Sequence, residues 1–179
     1  MSDLDRFSID TERLTMRRHR REDFEESFAL WREPAVIRYT SGKPSTREEA
    51  WARLLRHVGH WELLGYGGWV VREKATGRFV GEVGLADFQR EMSPHLEFKE
   101  AGWVLAPWAH GKGFATEAIH AALRWAEDTF GPEPIVCIIH PENEASLRVA
   151  HRCGFRERAH GTFKGEPTRI LERRPEPLP

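Results

Sequence analysis

Hydrophobic and polar residues follow one another along this chain in patterns that predict a succession of strands and helices. Residues 8–18 alternate as a strand does. Arg21–Trp31 predicts a helix with aromatic residues on one face, which Pro34 is expected to break. Ser45 and Glu48 form a capping-box pattern, so a second helix is predicted to begin there. Its apolar residues recur at helical spacing, at Ala50, Leu54, Val58 and Trp61.

The second half of the chain predicts six strands and two further helices. The predicted strands are Trp69–Arg72, Phe79–Phe88, Glu97–Leu105, Ile135–Ile139, Phe155–Phe163 and Thr168–Arg173. Apolar residues recur at helical spacing from Ala115 to Phe130, and Gly131 closes that helix. Asn143 is placed to cap a second helix, which stops at Gly154.

The segment Trp103–Ala118 carries the most chemical information, because an apolar strand there runs through a glycine turn into a helix. Gly111 and Gly113 let the backbone approach a ligand, and the free N–H groups of the first helical turn attract an anion. A purely steric role for the glycines is about equally compatible with this turn. Two phosphate motifs are excluded: Ala106 and Gly113 break the Walker A pattern, and Thr116 breaks the dinucleotide fingerprint.

The remaining spacing, His110-x-x-Gly113-x-Ala115, resembles the Gln/Arg-x-x-Gly-x-Gly/Ala loop of the GNAT superfamily of acyl-CoA-dependent N-acetyltransferases. The stretch Asn143–Phe155 resembles the family's Asn-x-x-Ser/Ala helix, which ends in Gly-Phe. Both blocks occur in the family's order and at the expected separation. The chain is therefore identified as a member of this superfamily.

Two further segments resemble the branch that includes the ribosomal-protein N-terminal acetyltransferases: Thr11–Arg17 its opening strand and Gly81–Leu85 its third. The resemblance extends over residues 8–172. It implies an α/β (α+β) fold with a mixed, mainly antiparallel sheet of six to seven strands and about four helices. The sheet would be splayed between the strand before the loop and the strand after its helix. We expect one domain over 1–174 and a disordered tail over 175–179.

The resemblance implies acetyl-CoA as the cosubstrate and predicts how it binds. Backbone N–H groups from Gly111 to Ala115 would hold the pyrophosphate, with added charge from Lys112. Pantetheine would lie in the splayed gap like an added strand. Asn143 would contact the cofactor arm, or serve only as a helix cap. The predicted cofactor-binding residues are Val104, Leu105, His110, Gly111, Lys112, Gly113, Phe114, Ala115, Thr116 and Asn143.

Catalysis by direct attack requires a neutral amine, whereas amines with a pKa of about 8 to 10 are mostly protonated at pH 7. Glu100 is the first candidate for the base that removes this proton, because it lies on the strand leading to the thioester; Glu82 and Glu97 are rivals. Many family members carry a tyrosine acid where this chain has Ala150. Ser146 is the alternative proton donor, and a thiol of pKa roughly 8.5 leaves with little help.

Composition narrows the function classes. The 179 residues carry 27 basic and 28 acidic side chains, a net charge of −1, so no electrostatic footprint for nucleic acid or an anionic membrane is visible. No membrane span or signal peptide is apparent, which predicts the cytoplasm. Cys137 and Cys153 fit neither a disulfide framework nor a zinc site. His57 and His60 are interpreted as surface histidines, so no metal is expected.

Two functional hypotheses follow. The first is an acetyltransferase, monomeric or homodimeric, that acts on an amine. The second is a non-catalytic acyl-CoA-binding or sensing domain, which His110 and the missing tyrosine favour. Within the first hypothesis, a polyamine or an aminoglycoside would require acidic residues on the acceptor side. The stretch expected there offers one acidic residue, Glu33, and three basic ones, Arg32, Arg38 and Lys43. A peptide N-terminus or another small amine is therefore the preferred acceptor.

Overall fold

The computed structural model describes residues 7–175, in which the chain forms one eight-stranded sheet and five α-helices. From residue 176 on, the predicted tail lies outside the described residues. The strands are β1 (Ile9–Asp10), β2 (Leu14–Arg18), β3 (Gly68–Glu73), β4 (Phe79–Ala86), β5 (Glu100–Leu105), β6 (Ile135–Ile139), β7 (Arg156–Phe163) and β8 (Glu166–Arg173). The helices are α1 (Phe24–Leu30), α2 (Pro34–Ile37), α3 (Arg47–Leu64), α4 (Phe114–Phe130) and α5 (Glu144–Arg152).

The sheet has the order β1-β2-β3-β4-β5-β6-β8-β7 and is antiparallel except between β5 and β6. The predicted mixed, mainly antiparallel sheet is thus confirmed, with more strands than the six to seven expected. The extra strand arises because residues 8–18 form two strands. The turn between them is closed by Thr11, whose N–H donates to the Leu14 carbonyl at 2.9 Å.

Several predicted helix boundaries are wrong by a few residues. The capping box lies at Thr46 and Glu49, not at Ser45 and Glu48: Thr46 Oγ1 accepts from the Glu49 N–H at 3.1 Å. Pro34 does not merely end a helix, since it occupies the first turn of α2, where its missing N–H has no cost. The helix predicted for Arg21–Trp31 begins with a 3₁₀ turn and becomes α-helical at Phe24.

The two faces of the sheet are covered by different helices. Trp69 and Val71 belong to the main core, which α4 covers, whereas Val70 between them packs with residues of α1 and α2. Trp61 and Trp69 are buried, as predicted, with their rings 5.0 Å apart at 77°. In the part of the chain that the structure describes, no helix is both long and apolar enough to span a membrane.

The sheet opens between its two parallel strands. β5 and β6 share a single pair of register partners, Glu100 and Val136, and then separate. The Val136 N–H donates to the Lys99 carbonyl at 3.0 Å just before this point. Beyond it, the facing backbone edges of β5 and β6 form a gap. The splay that the family resemblance implied is therefore present, between the strands expected.

Candidate active site

The glycine turn places an uncapped helix end next to this gap. Gly111 and Gly113 have φ angles of +74° and +80°, which L side chains rarely adopt. Gly113 is the N-cap of α4, and no side chain caps that helix. The N–H groups of Phe114, Ala115 and Thr116 consequently have no partner within the helix. Together with the helix dipole, they form a geometry that suits an anion such as a pyrophosphate.

The acidic residue in the first turn of α4, Glu117, is neutralised by residues of the turn between β1 and β2. Arg13 lies 2.6 Å from Glu117 and also donates to the Lys112 carbonyl at 2.9 Å. Burial acts to raise the pKa of Glu117, but hydrogen bonds from Thr11 and Arg13 outweigh it and lower that pKa. Arg13 thus removes a repulsive charge beside the anion site. Sequence reasoning missed it, because Arg13 and Glu117 are remote in the chain.

The side chains of the turn point in different directions. His110 Nε2 donates to the Leu105 carbonyl at 2.9 Å, so this ring ties the turn back to the end of β5. Lys112 Nζ lies 4.6 Å from the centre of the Trp108 ring, and the Arg78 guanidinium lies 4.0 Å from it. The cations near the turn therefore include Arg78, which sequence reasoning did not single out.

Only every second residue of β5 turns its backbone N–H and carbonyl groups towards the gap. The Val104 carbonyl lies against Gly81 of β4, since a Cβ built on Gly81 would come within 2.2 Å of it. Because backbone groups alternate in direction along a strand, those of Trp103 and Leu105 face the gap. The backbone of Val104, which was expected to bind pantetheine, is therefore turned towards β4 and away from the gap. The Leu105 carbonyl is already bound by His110, which leaves its N–H.

Asn143 and Ser146 lie at the start of α5, the helix that follows β6. Asn143 Oδ1 accepts from the Ser146 N–H at 3.1 Å, so the predicted cap of α5 is confirmed. Ser146 is partly buried. A tyrosine also reaches this region, because the Tyr39 ring lies 5.4 Å from the ring of His140, which directly follows β6. Sequence reasoning looked for a tyrosine only at Ala150 and missed Tyr39, which comes from the segment after α2.

Glu82 stands at the centre of a buried polar cluster. It lies on β4 opposite Val104 and is 5% exposed. Ser27 Oγ donates to its Oε1 at 2.5 Å and Trp31 Nε1 donates to its Oε2 at 2.9 Å. His19 Nε2 lies 3.3 Å from Oε1, and His57 Nε2 lies 3.7 Å from Oε2. Helices α1 and α3 thus converge on one carboxylate of the sheet.

Both ring nitrogens of His19 face oxygen atoms: Nδ1 lies 3.2 Å from the Gly68 carbonyl, and Nε2 lies 3.3 Å from Glu82 Oε1. Burial, reinforced by the charge of His19, lowers the pKa of His57 to about 4 and keeps its ring neutral. Burial acts to raise the pKa of Glu82, but its interactions with both histidines hold it well below the ordinary range.

The expectation that His57 is a surface histidine is wrong. Its side chain is only 18% exposed and stacks on His19, with the ring centroids 4.1 Å apart and the planes at 1°. Among the residues described, these two histidines and Glu82 are the one group whose donor atoms, all within 4.8 Å, suit a metal ion. However, imidazole lone pairs lie in the ring plane, and two parallel planes do not converge on one ion. This ring geometry does not fit a metal centre.

The other candidate bases lie in different surroundings. Glu100 is buried, and Arg90 holds it with two hydrogen bonds, from Nε at 2.6 Å and from Nη2 at 2.8 Å. It sits where β5 and β6 are still paired, at the closed end of the gap. The Glu97 side chain is 62% exposed and lies 3.5 Å from Arg158. Of the three carboxylates, Glu82 lies nearest in register to the open part of β5.

A row of glycines runs across the sheet between Glu82 and Glu100. Gly68, Gly84 and Gly102 are register partners on β3, β4 and β5. Alternation along the strands puts their missing side chains on the face of both glutamates. A Cβ added to Gly84 would lie 2.4 Å from the Cα of Gly68. Gly102 is exposed, and a Cβ added there would have no atom within 4 Å. We call this the glycine row; its Gly102 end leaves the sheet surface open.

Comparison with known proteins decides the family. A family model described as "Acetyltransferase (GNAT) domain" matches residues 13–156, which is most of the chain. The chain belongs to the GNAT family of acetyltransferases. The protein is accordingly an acyltransferase, and acetyl-CoA is the cosubstrate of this family. The family resemblance drawn from the loop and the Asn143 helix is thereby confirmed.

Relatives of known sequence or structure agree with the assignment to the GNAT family. The YkkB protein of Bacillus subtilis is 31% identical over 150 residues, which cover 81% of this chain and 82% of that protein. A solved structure from Bordetella pertussis, provisionally named a GnaT-family acetyltransferase, is 30% identical with a TM-score of 0.83, covering 94% of this chain and 99% of that one.

A Vibrio cholerae spermidine N-acetyltransferase, solved with CoA and spermine, shares the fold. It has a TM-score of 0.71 at 21% identity, and the match covers 90% of this chain and 95% of that one. This likeness extends to the fold and not to the amine that is acetylated.

Proposed function

We propose that the protein transfers the acetyl group of acetyl-CoA to a primary amine by direct attack in a ternary complex. The observation that carries this proposal is the splayed gap between β5 and β6, which ends at the uncapped N-terminus of α4 and has the charged Glu82 beside its open part. The gap would hold the pantetheine arm of an acyl thioester, and the helix end would bind the pyrophosphate of the same molecule.

The cofactor would be held largely by backbone groups. The N–H groups of residues 114–116 would bind the pyrophosphate, and Lys112 would add charge. The gap-facing groups of Trp103 and Leu105 would bind the pantetheine amides and polarise the thioester carbonyl. The amide nitrogen of Asn143, whose oxygen already caps α5, remains for the cofactor arm.

Glu82, rather than Glu100, would compensate the positive charge that develops on the attacking nitrogen. Its carboxylate stays ionised across the neutral range, because the pKa is held low. The amine proton would pass through water, since a carboxylate with a low pKa retains a proton poorly. Glu100 is already neutralised by Arg90, which makes it the weaker candidate.

The leaving thiolate requires little assistance, because a thiol has a pKa of roughly 8.5. Ser146, in the helix after β6, and Tyr39, whose ring stacks on His140, each carry a hydroxyl group that would donate a proton to it. Tyr39 replaces, from a different element, the tyrosine that is missing from α5.

A matched pair of variants tests the proposal. CoA release is measured with and without added amines for wild type, Glu82→Gln and Glu100→Gln. We expect amine-dependent release by wild type and a loss of about a hundredfold or more in Glu82→Gln at neutral pH, partly recovered at high pH, where more amine is neutral. Acetyl-CoA affinity should not change.

Two other results would contradict the proposal in different ways. A large loss in Glu100→Gln alone would assign the charge-compensating role to Glu100 instead of Glu82. Tight acetyl-CoA binding without amine-dependent CoA release would instead identify a non-catalytic acyl-CoA-binding domain.

A further inference from the structure

Three arginines surround the face of the sheet that carries the glycine row. Arg53 and Arg56 extend from α3, and Arg90 comes from the loop between β4 and β5. The Arg53 guanidinium lies 3.8 Å from the centre of the Trp31 ring, and Trp31 is the residue whose indole N–H binds Glu82. The guanidinium groups of Arg56 and Arg90 both lie over the Phe88 ring, at 5.0 and 4.5 Å.

The carboxylates of Glu82 and Glu100 already have hydrogen-bond partners, whereas two of the three arginines form no ion pair with a described residue. Arg90 takes Glu100 in a two-point contact, and Glu82 is held by the cluster around His19. Among the described residues, neither Arg53 nor Arg56 has a carboxylate within the 4.0 Å of an ion pair. Arg53 donates only to the neutral Ser45 Oγ, at 3.2 Å. The face therefore carries two guanidinium groups that form no direct ion pair within the described part of the chain, although carboxylates lie near both.

Arg53 is partly buried, whereas Arg56 is exposed as a residue and only its guanidinium is partly desolvated. Desolvation lowers the pKa of both arginines, and in each case a neighbouring arginine lowers it further. Carboxylates act in the opposite direction: Glu82 and Glu49 on Arg53, and Glu82 and Glu100 on Arg56. Arrangements of this kind favour an anionic ligand, because a carboxylate accepts two parallel hydrogen bonds from a guanidinium and cancels the mutual repulsion.

We propose that Arg53 and Arg56 bind a carboxylate of the acceptor, so that the acceptor is an amine that also carries a carboxylate, as an amino acid does. This inference rests on the proposed acetyl transfer and names the substrate class of the same site. One indole, that of Trp31, separates the Arg53 guanidinium from Glu82. The amine and the carboxylate of the acceptor are accordingly close to one another, as they are in a free amino acid.

The same charges disfavour the other acceptors that the family acetylates. A polyamine or an aminoglycoside brings several positive charges and would meet two arginines, while Glu82 and Glu100 are already engaged by other groups. A peptide N-terminus has lost its adjacent carboxylate to the peptide bond.

The test uses pairs of acceptors that differ only in the carboxylate. The value of kcat/KM is measured for each of the twenty amino acids and for its amide, with acetyl-CoA saturating. We expect at least one amino acid to be preferred over its amide by about tenfold or more, the usual consequence of one charge-assisted hydrogen bond. Equal or better turnover of the amides would overturn this inference and leave the acetyl transfer intact.

Variants then assign the preference to the arginines. Arg56→Met and Arg53→Met keep the aliphatic stem, and each should reduce the preference for the acid towards unity without changing KM for acetyl-CoA. Arg56→Lys should restore part of it. Arg124→Met, an exposed position on α4, is the control and should keep the wild-type preference.

A preference that survives in both Met variants would overturn the inference, as would a wild-type enzyme that acetylates only amines without a carboxylate. If no amine causes CoA release, the proposed function fails, and this inference fails with it.

Discussion

Acid should destabilise this protein through His57 before most carboxylates titrate. In the folded chain burial lowers the pKa of His57 from 6.5 to about 4, so the folded state binds fewer protons than the unfolded state below pH 6.5. This contribution to stability is fully present above pH 6.5 and is lost as the pH falls towards 4. Integrating between these pKa values gives a loss of about 2 kcal/mol by pH 5.

Urea unfolding at pH 7, 6 and 5 measures this loss directly. The free energy of unfolding of wild type should fall by about 2 kcal/mol more between pH 7 and pH 5 than that of His57→Gln, which has no titrating ring. His60→Gln, one turn nearer the end of α3, controls for the loss of any histidine. Its side chain contacts backbone carbonyls of Arg56 and Asp87.

The pH window separates His57 from the carboxylates. Glu82 and Asp23 have pKa values below their ordinary range, so their contributions are lost only under more acidic conditions, below about pH 4 to 4.5. If wild type and His57→Gln lose the same stability between pH 7 and pH 5, the ring of His57 is not kept neutral by burial and the described cluster is wrong.

The remaining predictions concern backbone positions and proton donors. Gly84→Ala should unfold or strongly destabilise the protein in thermal melts, because its Cβ would meet backbone at 2.4 Å. Gly102→Ala should melt like wild type and yet raise KM for the amine. Equal melting temperatures of the two variants would contradict this prediction. Gly113→Val should abolish acetyl-CoA binding in calorimetry while the far-UV circular dichroism persists, and unchanged affinity would remove the turn from the binding site. Ser146→Ala should lower kcat only modestly, and a loss of about a hundredfold would show that this hydroxyl is the acid. Tyr39→Phe is measured in parallel, and we expect the larger loss of the two there.

Local patterns in the sequence predicted the elements that local interactions determine. β6 begins and ends where its apolar, β-branched run predicted, and Asn143 caps α5 as its residue type suggested. The sequence pattern predicts the capping box one residue too early, because both Ser45 and Thr46 are followed three residues later by a glutamate. Only packing separates these alternatives: Ser45 is buried, and Thr46 takes the cap.

The candidate site could be predicted only where it is continuous in the chain. The glycine turn of residues 110–116 was recognised because its spacing is local. The cluster of His19, His57 and Glu82 was not, because its members come from three different parts of the chain and meet only when α3 packs over the sheet. No spacing rule relates these positions.

The opening between β5 and β6 divides the sheet into two parts that meet at the boundary between these two strands. One part contains β1 to β5 and the other β6 to β8, and one register pair, Glu100 and Val136, links them. The pantetheine arm of a thioester lying in this gap would contact both parts of the sheet and hold them together. The sheet would therefore be continuous only when the cosubstrate is bound. Ligand at a hundred times its Kd adds about 2.7 kcal/mol to the stability of a folded protein. Here that gain would be concentrated at the gap between β5 and β6, where amide hydrogen exchange of Trp103 and Leu105 would report it.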